Sequence, residues 1–214
     1  MTQATEPIIY QGQFGEFTID NRDRREVIVY RGGLMVAALC FAAATLVVLW
    51  QPTNADRLTI IGPLYSVFCL SLGVSLLTIH IYMRALHRIL QVFWGIGIVA
   101  SAAIAHFYPE PFAQTIYLHP LTIFGVGFVF AALTGIYFKE AVCFNRLETK
   151  GLTPLVPTLL LGHLTGLLPL SIEKWMLVSW ALLFLIFAFR KAFQSIPPDI
   201  GDKSVFAYLK QQAS

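Results

Sequence analysis

The chain has 214 residues, of which 57% are hydrophobic and 13% charged, and its mean hydropathy is +0.68. A soluble domain carries about a quarter charged residues and under about half apolar ones, so an ordinary water-soluble enzyme is excluded. The formal charge of +3 is too small an excess to argue for nucleic acid. What remains is an all-α, polytopic transmembrane bundle.

Crossing about 30 Å of hydrocarbon takes roughly 20 residues. Apolar runs near that length lie at 32–50, 58–82, 89–108 and 120–138, none containing Asp, Glu, Lys or Arg. Pro120 opens the fourth run, where its missing N–H costs nothing. Thr153 and Pro154 read as the N-cap and first turn of a fifth run ending at Leu168, and Ser171 as the cap of a sixth, apolar over 176–189. The last two are short, so the expectation is six spans, or four plus a re-entrant hairpin. A helix of 15 residues covers only about 22 Å.

Basic residues are retained on the cytoplasmic side of short loops. Of the 15 here, all but Arg57 and Lys174 fall on one side of that scheme: in the N-terminal segment, around Arg84 and Arg88, around Lys139 to Lys150, and in the tail. Both termini are therefore expected in the cytoplasm or its topological equivalent. The chain divides into a cytoplasmic segment over 1–30, a bundle over 31–193 and a short cytoplasmic tail over 194–214. About thirty polar or mixed residues precede the first run, unlike a secretory signal peptide, so the first span is expected to act as an uncleaved anchor.

IIYQGQFGEFTIDNRD alternates apolar and polar residues around Gly12 and Gly15 and predicts a small β-hairpin. Between Gly73 and Gly95 there is no glycine, proline or asparagine, so the second loop lacks turn chemistry and predicts a helical elbow in the interface. There His80, Arg84, His87 and Arg88 would share a face. Arg84, His87 and Arg88 become candidates for contact with anionic lipid or an acidic partner, against ordinary positive-inside anchoring. Pro197 and Pro198 break the tail, which then allows one short amphipathic helix.

Helices in lipid approach through small residues. Gly97, Ser101 and Ala105 repeat every four residues on the third span, Gly127, Ala131 and Gly135 on the fourth, and these stripes are expected to face each other. Gly162 and Gly166 mark the fifth. Cys40, Cys69 and Cys143 form neither a disulfide framework nor a zinc spacing. No Walker motif, GxSxG or HExxH occurs.

Ionisable groups at membrane depth are functional candidates. Only His163 lies near the middle of a predicted span, beside Gly162, where a flat group could approach. Its imidazole suits the magnesium of a chlorophyll or the iron of a haem, or a simple interhelical hydrogen bond. His106, His119 and Glu110 at the outer ends of the third and fourth spans could hold a metal, sense pH or anchor the interface. On the inner side, Lys139, Glu140, Asn145, Arg146 and Glu148 read first as a solvated amphipathic linker, with Glu140 and Arg146 gripping a partner or the fifth-span entrance as the alternative.

FKEAVCFNRLE followed by LTPLVPTLLLGHLTGLL resembles an uncharacterised family of multi-pass integral membrane proteins of cyanobacteria and plastid-bearing organisms. The resemblance implies a thylakoid or plasma membrane and an association with pigment-protein biogenesis, and it carries no catalytic residues across. The leading expectation is a non-enzymatic auxiliary or assembly protein that binds the bilayer and other membrane subunits, with no nucleic-acid partner. A small-molecule permease and a membrane redox or metal enzyme are the alternatives.

Overall fold

The computed structural model describes residues 8–50, 54–81 and 83–212. Tyr82, the expected end of the second run, lies outside them, as do 1–7 and 213–214 of the flanking segments. An antiparallel pair, β1 (Ile9–Gly12) and β2 (Gly15–Thr18), precedes the helices, with Ile9 opposite Thr18 and Gly12 opposite Gly15. The helices are α1 (Asn21–Trp50), α2 (Ala55–Leu58), α3 (Ile61–Thr78), α4 (Arg84–Phe107), α5 (Phe112–Leu118), α6 (Ile123–Phe144), α7 (Leu147–Thr165), α8 (Leu170–Ala192), α9 (Pro197–Ile200) and α10 (Lys203–Gln212). A 3-10 turn, Pro120–Thr122, leads into α6.

The six long helices are neighbours in chain order around a ring that closes where α8 packs on α1. Its centre is filled by aromatic rings: Phe41 lies 4.4 Å from Trp180, Phe130 5.1 Å from Trp180 and Phe68 5.8 Å from Phe130. Trp180 donates to the Tyr137 hydroxyl at 3.3 Å, giving its buried N–H a partner.

Among the described residues, five stretches are long and apolar enough to cross a membrane: Asn21–Trp50, Ala55–Thr78, Arg84–Phe107, Pro120–Phe144 and Leu170–Ala192. α7 stands outside this set. It begins at Leu147, well before the expected Thr153–Pro154 cap, so it takes Glu148 and Lys150 into its first turns and carries Pro154 and Pro157 inside the helix. Thr153 does not cap; its hydroxyl donates back to the Thr149 carbonyl at 2.7 Å. Nor does Ser171, because α8 already starts at Leu170 after Pro169, without a side-chain cap.

Helix ends are set by local chemistry. The Asp20 carboxylate accepts from the backbone N–H of Arg22 and Asp23, each at 2.8 Å, and Asp23 accepts in return from Asp20 at 2.9 Å. This reciprocal cap starts α1 at Asn21, inside the segment expected to lie outside the bundle. Asn145 closes α6 in the left-handed region, φ 52°. Gly166 closes α7 at φ 66°, its N–H bonding His163 O and that of Leu167 bonding Gly162 O at 3.0 Å.

The helical elbow does not form. α3 stops at Thr78 and Ile79 is extended, φ −70° and ψ 136°. One carbonyl near that end, Leu76 O, is taken by side chains of α4. The His87 ring meets Leu76 O at 2.6 Å and the Gln91 amide donates to it at 3.4 Å, supplying from the next helix the bonds a turn residue would make. His80, in this extended linker, is therefore off the helical face that Arg84, His87 and Arg88 were expected to share with it.

Candidate functional site

The polar residues that the structure gathers lie at the end of the ring where both terminal segments meet. α1 supplies Tyr30 and Arg31, α6 Lys139 and Glu140, α8 Lys191, and α9 Asp199. Lys191 has no exposed side-chain surface; it donates to Glu140 Oε2 at 2.6 Å and ion-pairs with Asp199 Oδ1. The other Glu140 oxygen accepts from Lys139 at 2.9 Å and from the Tyr30 hydroxyl at 3.1 Å. Arg31 donates through Nε and Nη2 to Asp199 Oδ2 at 2.8 and 2.7 Å.

Local structure explains why Arg31 reaches that far. α8 ends at Ala192, and the Arg31 guanidinium takes the carbonyls of Gln194 and Ser195 in the segment that follows it, at 2.5 and 2.8 Å. Pro197 and Pro198 then start the single turn of α9, with prolines in the first two positions, which turns Asp199 inward. A planar fork with five donors is the one side chain able to satisfy two carbonyls and a carboxylate together.

A second layer adjoins the first. Glu148, 4% exposed, pairs with Arg190 at 2.7 Å and Arg146 at 3.6 Å, and Arg146 also donates to Gln194 Oε1 at 2.5 Å. The Phe144 ring lies beneath three cations, with Lys191 at 4.0 Å, Lys139 at 5.3 Å and Arg146 at 5.8 Å from its centroid. Of the residues expected in a solvated linker, Glu140 and Glu148 are thus buried and Lys139 and Arg146 half-buried, whereas Asn145 is exposed. The missed signal was the apolar AVCF after Lys139 and Glu140, which continues α6 for another turn. The pairing with Arg31, Lys191 and Asp199 had no local signal.

This network borders a half-open cleft of about 520 Å³ lined by His80, Met83, Phe138, Lys139, Val142, Cys143 and Asp199 among others. His80 Nε2 is 3.4 Å from Glu26. Burial holds its pKa below the usual 6.5, and the Glu26 charge opposes that.

The residues singled out in the sequence are placed differently. His163 falls in the last turn of α7, not at mid-span; its Nδ1 is 2.8 Å from Glu173, its ring lies 5.2 Å from that of Tyr117, and its buried Nε2 has no hydrogen-bond partner among the described residues. The space expected beside Gly162 is occupied by the Leu168 side chain. His106 packs on Phe107 at 5.0 Å and His119 on Tyr108 at 4.8 Å. Among the described residues no group of three His, Cys, Asp or Glu could hold a metal ion, so these histidines and Glu110 do not assemble as a ligand set. Arg84 and Arg88 are exposed, whereas His87 turns back to α3.

The small-residue stripes are also rearranged. A Cβ on Gly97 would come within 2.5 Å of the Val129 backbone nitrogen, one on Gly125 within 2.9 Å of Ala100, and one on Gly135 would strike Leu90. The α6 face toward α4 therefore runs through Gly125, Val129 and Gly135, the last of these a member of the expected stripe. Gly127 and Ala131 instead line an apolar groove of about 350 Å³ between α6 and α7. Ser101 is buried and bonds Gly97 O at 2.6 Å, Ala105 is exposed, and Gly166 serves as a helix terminator.

Together these features define a multi-pass helical integral membrane protein with a largely buried ion network at one end of its bundle. Residues 74–208, more than half the chain, match the family model for the uncharacterised integral membrane protein DUF2301, and the chain belongs to that family. No curated protein and no solved structure matches it.

Proposed function

We propose that this protein is a non-enzymatic membrane subunit that assembles with other membrane proteins, and that a partner transmembrane helix packs into the α6–α7 groove. The observation that carries the reading is the groove's lining. Gly127, Ala131 and Thr134 of α6 and Pro157 of α7 present small or ring-shaped surfaces outward, and close backbone approach through such residues drives helix association in lipid. The aromatic centre and the mutual pairing of the charges argue against the permease alternative, whose substrate needs a polar path at mid-depth. In this reading both termini face the cytoplasm, and the membrane is a thylakoid or plasma membrane.

The test is affinity purification from native membranes, comparing wild type with Gly127→Leu and Ala131→Leu. A stoichiometric membrane subunit that is lost from both variants, while each retains the wild-type unfolding temperature, is the expected result. A wild-type preparation without such a subunit, or one held equally by the filled-groove variants, refutes the role.

One observation favours a pigment as an additional component. Glu173 lies against Nδ1 of His163, and among the described residues the buried Nε2 has no hydrogen-bond partner; a carboxylate that orients the remote nitrogen is the arrangement found behind metal-ligating histidines. An absorption band in the visible that disappears in His163→Ala supports a chlorin or haem there, and a colourless wild-type preparation from native membranes eliminates it.

A further inference from the structure

The ion-paired set around Lys191 is not electrically balanced. Among the described residues, Arg31, Lys139 and Lys191 face only Glu140 and Asp199, with side-chain exposures of 9% or less throughout. The neighbouring carboxylates are already engaged: Glu26 with Arg22 and His80, Asp23 with Lys203, and Glu148 with Arg146 and Arg190. An uncompensated buried charge is expensive. A counter-anion from outside the chain would remove that cost.

The route to it is the cleft, which opens onto Lys139. Its ammonium has three donors and spends one on Glu140. Asp199 also borders the cleft, but its two oxygens are taken by Arg31 and Lys191. The rim is apolar and outward-facing: Met83, Phe138 and Val142 are 64%, 52% and 67% exposed. It stands at the ends of α4 and α6, the depth at which lipid headgroups meet a spanning helix.

We propose that this cleft seats the anionic headgroup of a membrane phospholipid, with Lys139 donating to the phosphate and the acyl chains running along Phe138 and Val142. The apolar rim selects a lipid over a soluble anion, because free phosphate gains nothing from those side chains. The site lies apart from the α6–α7 groove, and its fate is independent of the subunit role.

Cys143 provides the readout. It lines the cleft and is exposed, whereas Cys69 is buried and Cys40 is half-buried in α1. The full chain is placed in nanodiscs of phosphatidylglycerol, of phosphatidylcholine, and of phosphatidylcholine with added inorganic phosphate. Alkylation of Cys143 by a neutral maleimide is then followed by mass spectrometry. A headgroup held by one lysine slows the reaction roughly fivefold in phosphatidylglycerol relative to phosphatidylcholine, and inorganic phosphate leaves it unchanged. Lys139→Gln removes this slowing although the surface potential of the disc is the same. Val142→Glu, which touches none of the ion pairs, also removes it by repelling the headgroup, and decides the matter if Lys139→Gln does not fold. Equal wild-type rates in the two lipids, slowing that persists in the foldable variants, or equal protection by inorganic phosphate overturns the proposal.

Discussion

Lys191 of α8 and Glu140 of α6 pair at 2.6 Å with both side chains fully buried, and each has a further partner of opposite charge. The two members are not equivalent. Without Lys191, Arg31 still matches Asp199 and Lys139 still matches Glu140. Without Glu140, three cations confront one carboxylate.

Glu140→Gln is therefore expected to cost more stability than Lys191→Met. Breaking a buried pair so that charge is stranded costs about 3–5 kcal/mol. Methionine replaces the lysine stem at similar volume beside the Phe144 ring, which limits its loss to about 1–2 kcal/mol. Reversible denaturation of both variants in the same detergent checks the order, and a larger loss for Lys191→Met contradicts it.

Gly97→Ala and Gly127→Ala should act in opposite directions. A Cβ at Gly97 presses on the Val129 backbone at 2.5 Å, whereas one at Gly127 meets only Ile123 of its own helix at 3.5 Å. The first is expected to destabilise by about 1–3 kcal/mol, and the second to be neutral or to stabilise by up to about 1 kcal/mol through helix propensity. Unfolding midpoints of the two variants measure this; equal losses would show that both glycines are interior contacts.

Stability should fall as pH is lowered from 6.5. Burial holds folded His80 below its usual pKa, so the unfolded chain binds the proton first and acid favours unfolding. The contribution is fully present above 6.5 and is lost as pH falls through the depressed folded value. His80→Gln should flatten this part of the profile. Glu26→Gln, which removes the charge that opposes the shift, should steepen it. A wild-type profile unchanged in His80→Gln excludes the assignment.

The terminal segments are joined by Asp202, which accepts from the Gln13 N–H at 2.6 Å while Phe14 stacks on Tyr208 at 4.0 Å. Hydrogen bonds from Ser204 and Gln13 hold this carboxyl below its usual 3.8, so the contact persists above that value and fails as pH falls through the lower folded pKa. At neutral pH, Asp202→Asn should speed hydrogen exchange of the Gln13 amide. Exchange at the wild-type rate would mean that the stacked rings and the Phe14 N–H bond to the Ser204 hydroxyl hold the hairpin without Asp202.

Membrane residence and the approximate positions of the spans were legible in the sequence, because the length of an apolar run answers directly to bilayer thickness. The alternation around Gly12 and Gly15 likewise marked the stretch that forms β1 and β2. Run length says nothing about where helices continue through charged residues, so residues 21–31, 139–144 and the first turns of α7 were read as lying outside the spans. Nor does spacing along one helix specify the facing residue: Gly125 and Val129, rather than Gly127 and Ala131, meet α4. The ion network depended wholly on tertiary structure. Arg31 and Asp199 are 168 positions apart, and whether such groups are solvated or paired is decided by which helix ends the ring brings together. Hydropathy determined that this chain enters a membrane; close packing of α1, α6 and α8 determined which charges are removed from water, because only there can they satisfy one another.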